Sequence, residues 1–123
     1  LFRSGDRLAF VRTVGGFNHV YIVDTATLAE PQQVTSGDYD CDRPTFSPDG
    51  KKIAFASNRG YQERGKDRRD YLHIQAIDLA AKVPYPITKG DARAATPFWS
   101  GDGHIYFSSD RDRSFDVFRV EVK

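Results

Sequence analysis

Short apolar runs, each closed by Gly, Pro, Asp or Asn, follow one another along this chain, and no stretch carries apolar residues at a convincing helical spacing. Thr45 to Ser47 reads as a short strand ahead of a Pro-Asp-Gly turn, where Pro48 presets φ and Gly50 accepts a positive one. Ile53 to Ser57 is apolar at successive positions, as a strand buried on both faces would be. Tyr71 to Leu79 is expected to form a third strand, with Leu72, Ile74, Ala76 and Asp78 on one face. Pro84 to Thr88 is expected to form a fourth, starting at a proline that an outer strand tolerates. Asp24 to Glu30 and Asp78 to Lys82 contain helix formers, yet they sit where a turn between strands three and four belongs.

This four-strand pattern recurs. Pro44-Thr45-Phe46-Ser47-Pro48-Asp49-Gly50 returns 53 residues later as Pro97-Phe98-Trp99-Ser100-Gly101-Asp102-Gly103. Ile53 to Arg59 returns as Ile105 to Arg111, and Val34-Thr35-Ser36-Gly37-Asp38 returns as Ile87-Thr88-Lys89-Gly90-Asp91. Val20 to Asp24 matches Ile74 to Asp78 and, more loosely, Val117 to Glu121. The opening Ser4 to Phe10 is a shorter form of the same turn and strand. Four short antiparallel strands repeating at this length are the signature of a propeller blade. The fold class expected is therefore all-β, a partial β-propeller of four-stranded antiparallel blades. Residues 1–43 hold strands two to four of one blade, 44–96 a complete blade with a long charged loop at 60–70, and 97–123 strands one to three of another.

The segment from Phe46 to Gly60, with the Ser-Asn/Asp-Arg and Val/Ile-Thr-x-Gly elements around it, resembles the blade motif of the TolB-like, WD-repeat-like propellers over nearly the whole chain. That resemblance implies a periplasmic or secreted location and a protein partner. It also implies three functional classes, because one blade motif serves many proteins. The first is a non-catalytic binding or scaffolding module whose loop face contacts a protein or a cell-envelope component. The second is an accessory, substrate-gating ring of a prolyl-oligopeptidase-type or tricorn-like peptidase. The third is part of a metal-dependent polysaccharide lyase. About two and a half blades leave two apolar sheet faces uncovered, and propellers close with 4 to 8. The remaining blades are expected either in a longer polypeptide or in other copies of this chain.

Composition narrows the partners. Over 123 residues the formal net charge is +1, which argues against nucleic acid as the main partner, and no apolar run is long enough to span a membrane. The single Cys41 has no partner for an internal disulfide. There is no Gly-x-Ser-x-Gly elbow and no phosphate-cradling Gly-rich loop, so no catalytic constellation and no cofactor are expected within the chain.

The repeat breaks in one place. The loop between strands two and three of the second blade runs from Gly60 to Asp70 with four basic and three acidic residues. Standard propeller wiring puts it on the same face as the interblade segments Gly37 to Arg43 and Gly90 to Thr96. That face would present Tyr39, Arg43, Tyr61, Arg64, Arg68, Arg69, Arg93 and Arg113, and Tyr and Arg dominate protein contact sites. The bland alternative is a solvated charged loop. Asp38, Asp40 and Asp42 alternate as the carboxylates of a cation loop do, but Arg43 and Asp49 stand where such a loop needs Gly and its last carboxylate. His19 and His73 share a repeat position, which favours a loop-anchoring role over a metal cage. Arg59 and Arg111 are expected to bond a neighbouring loop.

Overall fold

The structure, a computed structural model, describes residues 3–60, 72–88, 93–109 and 116–122. The described residues form three antiparallel sheets. The first has the order β1 (Arg3–Ser4), β2 (Arg7–Val14), β3 (Phe17–Asp24), β4 (Gln32–Gln33). The second has the order β5 (Cys41–Phe46), β6 (Lys52–Ser57), β7 (His73–Asp78), β8 (Pro84–Pro86). The third runs β9 (Ala94–Trp99), β10 (His104–Ser109), β11 (Asp116–Glu121). Each sheet is a meander, in which strands adjacent in sequence pair in space.

Packing between sheets explains the continuous apolar run at β6. Ile53 and Phe55 pack with Ala9 and Val20 of the first sheet, and with Phe46 and Ile77. The alternate residues Ala54 and Ala56 pack instead with Trp99, Ile105 and Phe107 of the third sheet. All four β6 residues are 0% exposed, so one strand serves two cores because its period of two sends neighbours to opposite faces. The side facing Trp99 and Phe107 carries alanine, which leaves volume for those two rings.

The first strands converge: β1 lies near β5 and β5 near β9. Between the last two, the Trp99 backbone N–H donates to the buried Thr45 hydroxyl at 3.2 Å. These first strands form the inner edges of the stacked sheets. Strand β5 starts at Cys41, before the Thr45 expected from the pattern. Its ladder with β6 shifts register between Asp42 and Thr45, and Arg43 takes φ 54°. That bulge breaks the alternation that would have revealed the strand.

One end of the sheets is made of tight turns. Asp24 Oδ1 accepts from the N–H groups of Ala26 and Thr27, and Asp78 Oδ1 from those of Ala80 and Ala81. Leu28 and Lys82, at φ 53° and 58°, then reverse the chain, so the two stretches rich in helix formers are turns. The Leu79 N–H donates to Lys51 O at 3.0 Å and joins the two turns of the second sheet. At the other end, Gly15 and Gly16 close β2 onto β3 with φ 60° and 88°, as a two-residue hairpin requires. Residues 34–40 cross there from the first sheet to the second.

Candidate functional site

The crossing strap is fixed by a chain of buried hydrogen bonds. The Val20 N–H donates to Thr35 Oγ1 at 3.0 Å, and the same hydroxyl lies 3.0 Å from His19 Nδ1. His19 Nε2 is 2.9 Å from the Gly37 carbonyl, which can only accept. Nε2 therefore carries the proton, and Nδ1 accepts from the Thr35 hydroxyl. His19 thus ties two points of the strap to β3 while 2% exposed. The second sheet repeats the threonine: the Ile74 N–H donates to Thr88 Oγ1 at 2.8 Å.

Downstream, the carboxylates turn inward. Asp40 Oδ1 accepts the Asn18 N–H at 2.9 Å, and the Asn18 amide lies 3.2 and 3.4 Å from the Asp42 oxygens. The Asp40 N–H donates to Asn58 Oδ1 at 2.8 Å. Burial raises the Asp42 carboxyl above its usual range, with the charge of Asp40 adding to the effect and the bond from Asn18 opposing it. Among the described residues no group of three or more His, Cys, Asp or Glu is placed to hold a metal ion. The alternating acids of this segment instead bind the strap to the first sheet through Asn18.

Cys41 is 0% exposed, its thiol 3.7 Å from Ser57 Oγ, and burial pushes its pKa up to about 11. It is a small apolar filler of the core between the first two sheets. Tyr39 is half-buried against that core and meets the His19 ring edge-on at 5.9 Å. Burial raises its hydroxyl pKa, and a hydrogen bond with Arg59 works the other way. Arg59 also reaches Gln75 Oε1 at 3.5 Å.

Of the eight contact residues read from sequence, the structure describes Tyr39, Arg43 and Arg93 and places all three at the strap end. Tyr61, Arg64, Arg68, Arg69 and Arg113 lie outside the described residues. Tyr39 helps to pack the strap, Arg93 is half-buried just before β9, and Arg43 is exposed on the innermost strand. The opposite end holds a feature the sequence did not mark. A cleft of about 450 Å³ opens between Arg7 and the turns 49–51 and 78–80. Arg7 donates to Gly50 O at 2.6 Å and lies 5.1 Å above the Phe46 ring, clasping one sheet to the next. Its repeat equivalents Lys52 and His104 are also basic, a periodicity that could have flagged the position.

No protein-family model matches the chain. The chain is 32% identical over 119 residues to a Tol-Pal system protein TolB from Francisella tularensis, across 97% of this chain and 26% of that protein. It spans about a quarter of the length of the curated relatives it matches. A structure assigned to TolB from Agrobacterium tumefaciens superposes with a TM-score of 0.73 at 25% identity, over 95% of this chain and 39% of that one. A puromycin-hydrolyzing peptidase from Mycobacterium tuberculosis superposes with a TM-score of 0.71 over 98% of this chain and 18% of that one. At 15% identity this likeness is one of fold alone.

Proposed function

We propose, from the premise that this chain is a run of TolB-like β-propeller blades, that it is a non-catalytic binding and scaffolding module. Its strap end is the face that meets a protein or cell-envelope partner. The supporting observation is the contrast between the two ends. The turn end is built of short turns whose polar groups bond one another around the cleft beside Arg7. The strap end carries exposed Arg43 beside a crossing segment anchored by His19 and Thr35. A rigid scaffold presenting variable loops is a common architecture for recognition. The Francisella relative is named as a Tol-Pal system protein, which supports a periplasmic setting and a protein partner within an envelope system. The gating ring of a peptidase is the second reading, supported by fold likeness to the mycobacterial peptidase and by no closer identity.

Site-specific photocrosslinking in the intact polypeptide tests this. A crosslinking residue at Arg43 or Arg93 is expected to give a discrete envelope-protein adduct, and one at Lys51 or Ala81 on the turn end none. Adducts from the turn end alone would refute the assignment of the face. Adducts to small peptides in place of a folded partner would favour the gating ring.

A further inference from the structure

The strap is held at its middle by one titratable side chain. His19 spends both ring nitrogens on it: Nδ1 accepts from the Thr35 hydroxyl at 3.0 Å, and Nε2 donates to the Gly37 carbonyl at 2.9 Å. One nitrogen accepts and the other donates, so this pair of bonds belongs to the neutral ring alone. The Tyr39 ring meets the imidazole edge-on at 5.9 Å, and His19 is 2% exposed.

A second proton, on Nδ1, points at the Thr35 oxygen. That oxygen already accepts the Val20 N–H at 3.0 Å and bonds the Cys41 thiol. A hydroxyl has one proton and two acceptor positions. The bond to His19 survives only if the hydroxyl turns its proton onto Cys41 and the thiol turns to Ser57 Oγ, 3.7 Å away. The new charge must also be carried at a buried position, which is costly without a partner. Arg12 stands opposite His19 in the β2–β3 ladder and repels an imidazolium. Asp40 and Asp42 attract it, but Asn18 engages both carboxylates, and among the described residues neither bonds the ring. Asp38, next to Gly37, is exposed. Burial keeps Cys41 and Tyr39 uncharged at neutral pH, and Arg59 bonds Tyr39.

We infer that His19 is an acid-sensitive latch: its neutral ring holds residues 35–37 on β3, and proton uptake releases them and uncovers the Cys41 thiol. Imidazole is the side chain that changes charge between about pH 5 and 8. The latch therefore contributes while the ring is neutral, and its contribution is lost as pH falls. Release is local, because the β2–β3 and β5–β6 ladders do not run through the strap. The device operates whatever the strap end binds.

The test uses the intact polypeptide with Cys41 as its one cysteine. Labelling by dithiodipyridine is followed from about pH 8 to about pH 5, each rate divided by that of the urea-unfolded chain at the same pH, with circular dichroism in parallel. The normalised rate is expected to rise about tenfold or more as pH falls, the effect of one proton taken up across one pH unit, while the sheet signal stays constant. His19→Gln does not titrate and is expected to show no such rise, whatever its starting rate; His73→Gln is expected to keep it. A flat wild-type profile, a rise that persists in His19→Gln, or loss of the sheet signal in step with labelling would each overturn the latch. Should His19→Gln fail to fold, the NMR titration of the wild-type ring decides. Its midpoint must coincide with that of labelling. A ring that titrates while Cys41 stays protected shows that the hydroxyl has turned instead, and the latch falls.

Discussion

Replacing Thr35 with valine removes a hydroxyl without opening a cavity, since the two side chains have nearly the same shape. Beside its bond with the buried Cys41 thiol, that oxygen serves two others. The Val20 N–H, at a residue 0% exposed, loses its acceptor at 3.0 Å, and no water can reach it as a substitute. Stranding a buried donor costs about 1–3 kcal/mol. His19 Nδ1 loses the hydroxyl that donates to it, worth about 1 kcal/mol more. Thr35→Val is therefore expected to cost about 2–4 kcal/mol, a large part of the ~5–15 kcal/mol typical of a domain. Thr88→Val strands the Ile74 N–H, and among the bonds placed here it breaks that one alone, for about 1–3 kcal/mol. The assay is urea unfolding of both variants at constant slope, with hydrogen exchange at the Val20 and Ile74 amides. Each variant should speed exchange at its own amide, and Thr35→Ser, which keeps the hydroxyl, should protect Val20. If Thr35→Val shifts stability by less than ~0.5 kcal/mol, or leaves Val20 exchange unchanged, the latch does not hold the strap.

Three further outcomes follow from the same geometry. Cys41, fully buried with its thiol pKa raised to about 11, should resist thiol reagents in the native state and react stoichiometrically in urea; rapid native labelling would contradict the burial. Phe55→Ala removes a 0% exposed ring from the core between the first two sheets and should cost about 3–5 kcal/mol by urea midpoint, against less than ~1 kcal/mol for the exposed Val117→Ala. The Asp78 carboxylate is held below its usual range mainly by the N–H groups of Ala81 and Ala80. Its contribution is present above the unfolded carboxyl pKa near 4 and is lost as pH falls through the lower folded value. Asp78→Asn should therefore flatten the acid side of the stability profile, and an unchanged profile would show that the turn does not depend on that charge.

The stacked sheets were legible because every blade solves the same burial problem. Ile53 to Ser57 and Ile105 to Ser109 occupy equivalent second strands that pack on a neighbouring sheet, so the same residue types recur and the repeat can be seen directly. Val34-Thr35 and Ile87-Thr88 recur for a polar reason that sequence could mark and not explain: the hydroxyl caps the N–H of Val20 or Ile74 on the strand before it. The start of β5 was hidden because Arg43 adopts a left-handed backbone ahead of Pro44, and a polar pair before proline reads as loop. Tyr39 was singled out as a contact by residue type, which does not say that the ring is also half-buried on the strap core. His19 anchors the strap, and of its bonding pattern the second sheet repeats the threonine bond to the strand.

Repetition also shows where function can be sought, because a position that varies within a conserved geometry has been released from the common constraint. Arg43 and Thr96 share φ, a register slip and a following proline, so the fold sets the bulge and not the side chain upon it. Thr96 finds Ser108, whereas Arg43, with Ala56 at the equivalent position, acts through its charge on the neighbouring Asp42. If the bulge served architecture alone, glycine would serve it better at both sites, since glycine adopts this backbone without the Cβ penalty. The residue pair that keeps the strain while changing its chemistry is therefore the most informative comparison in the chain.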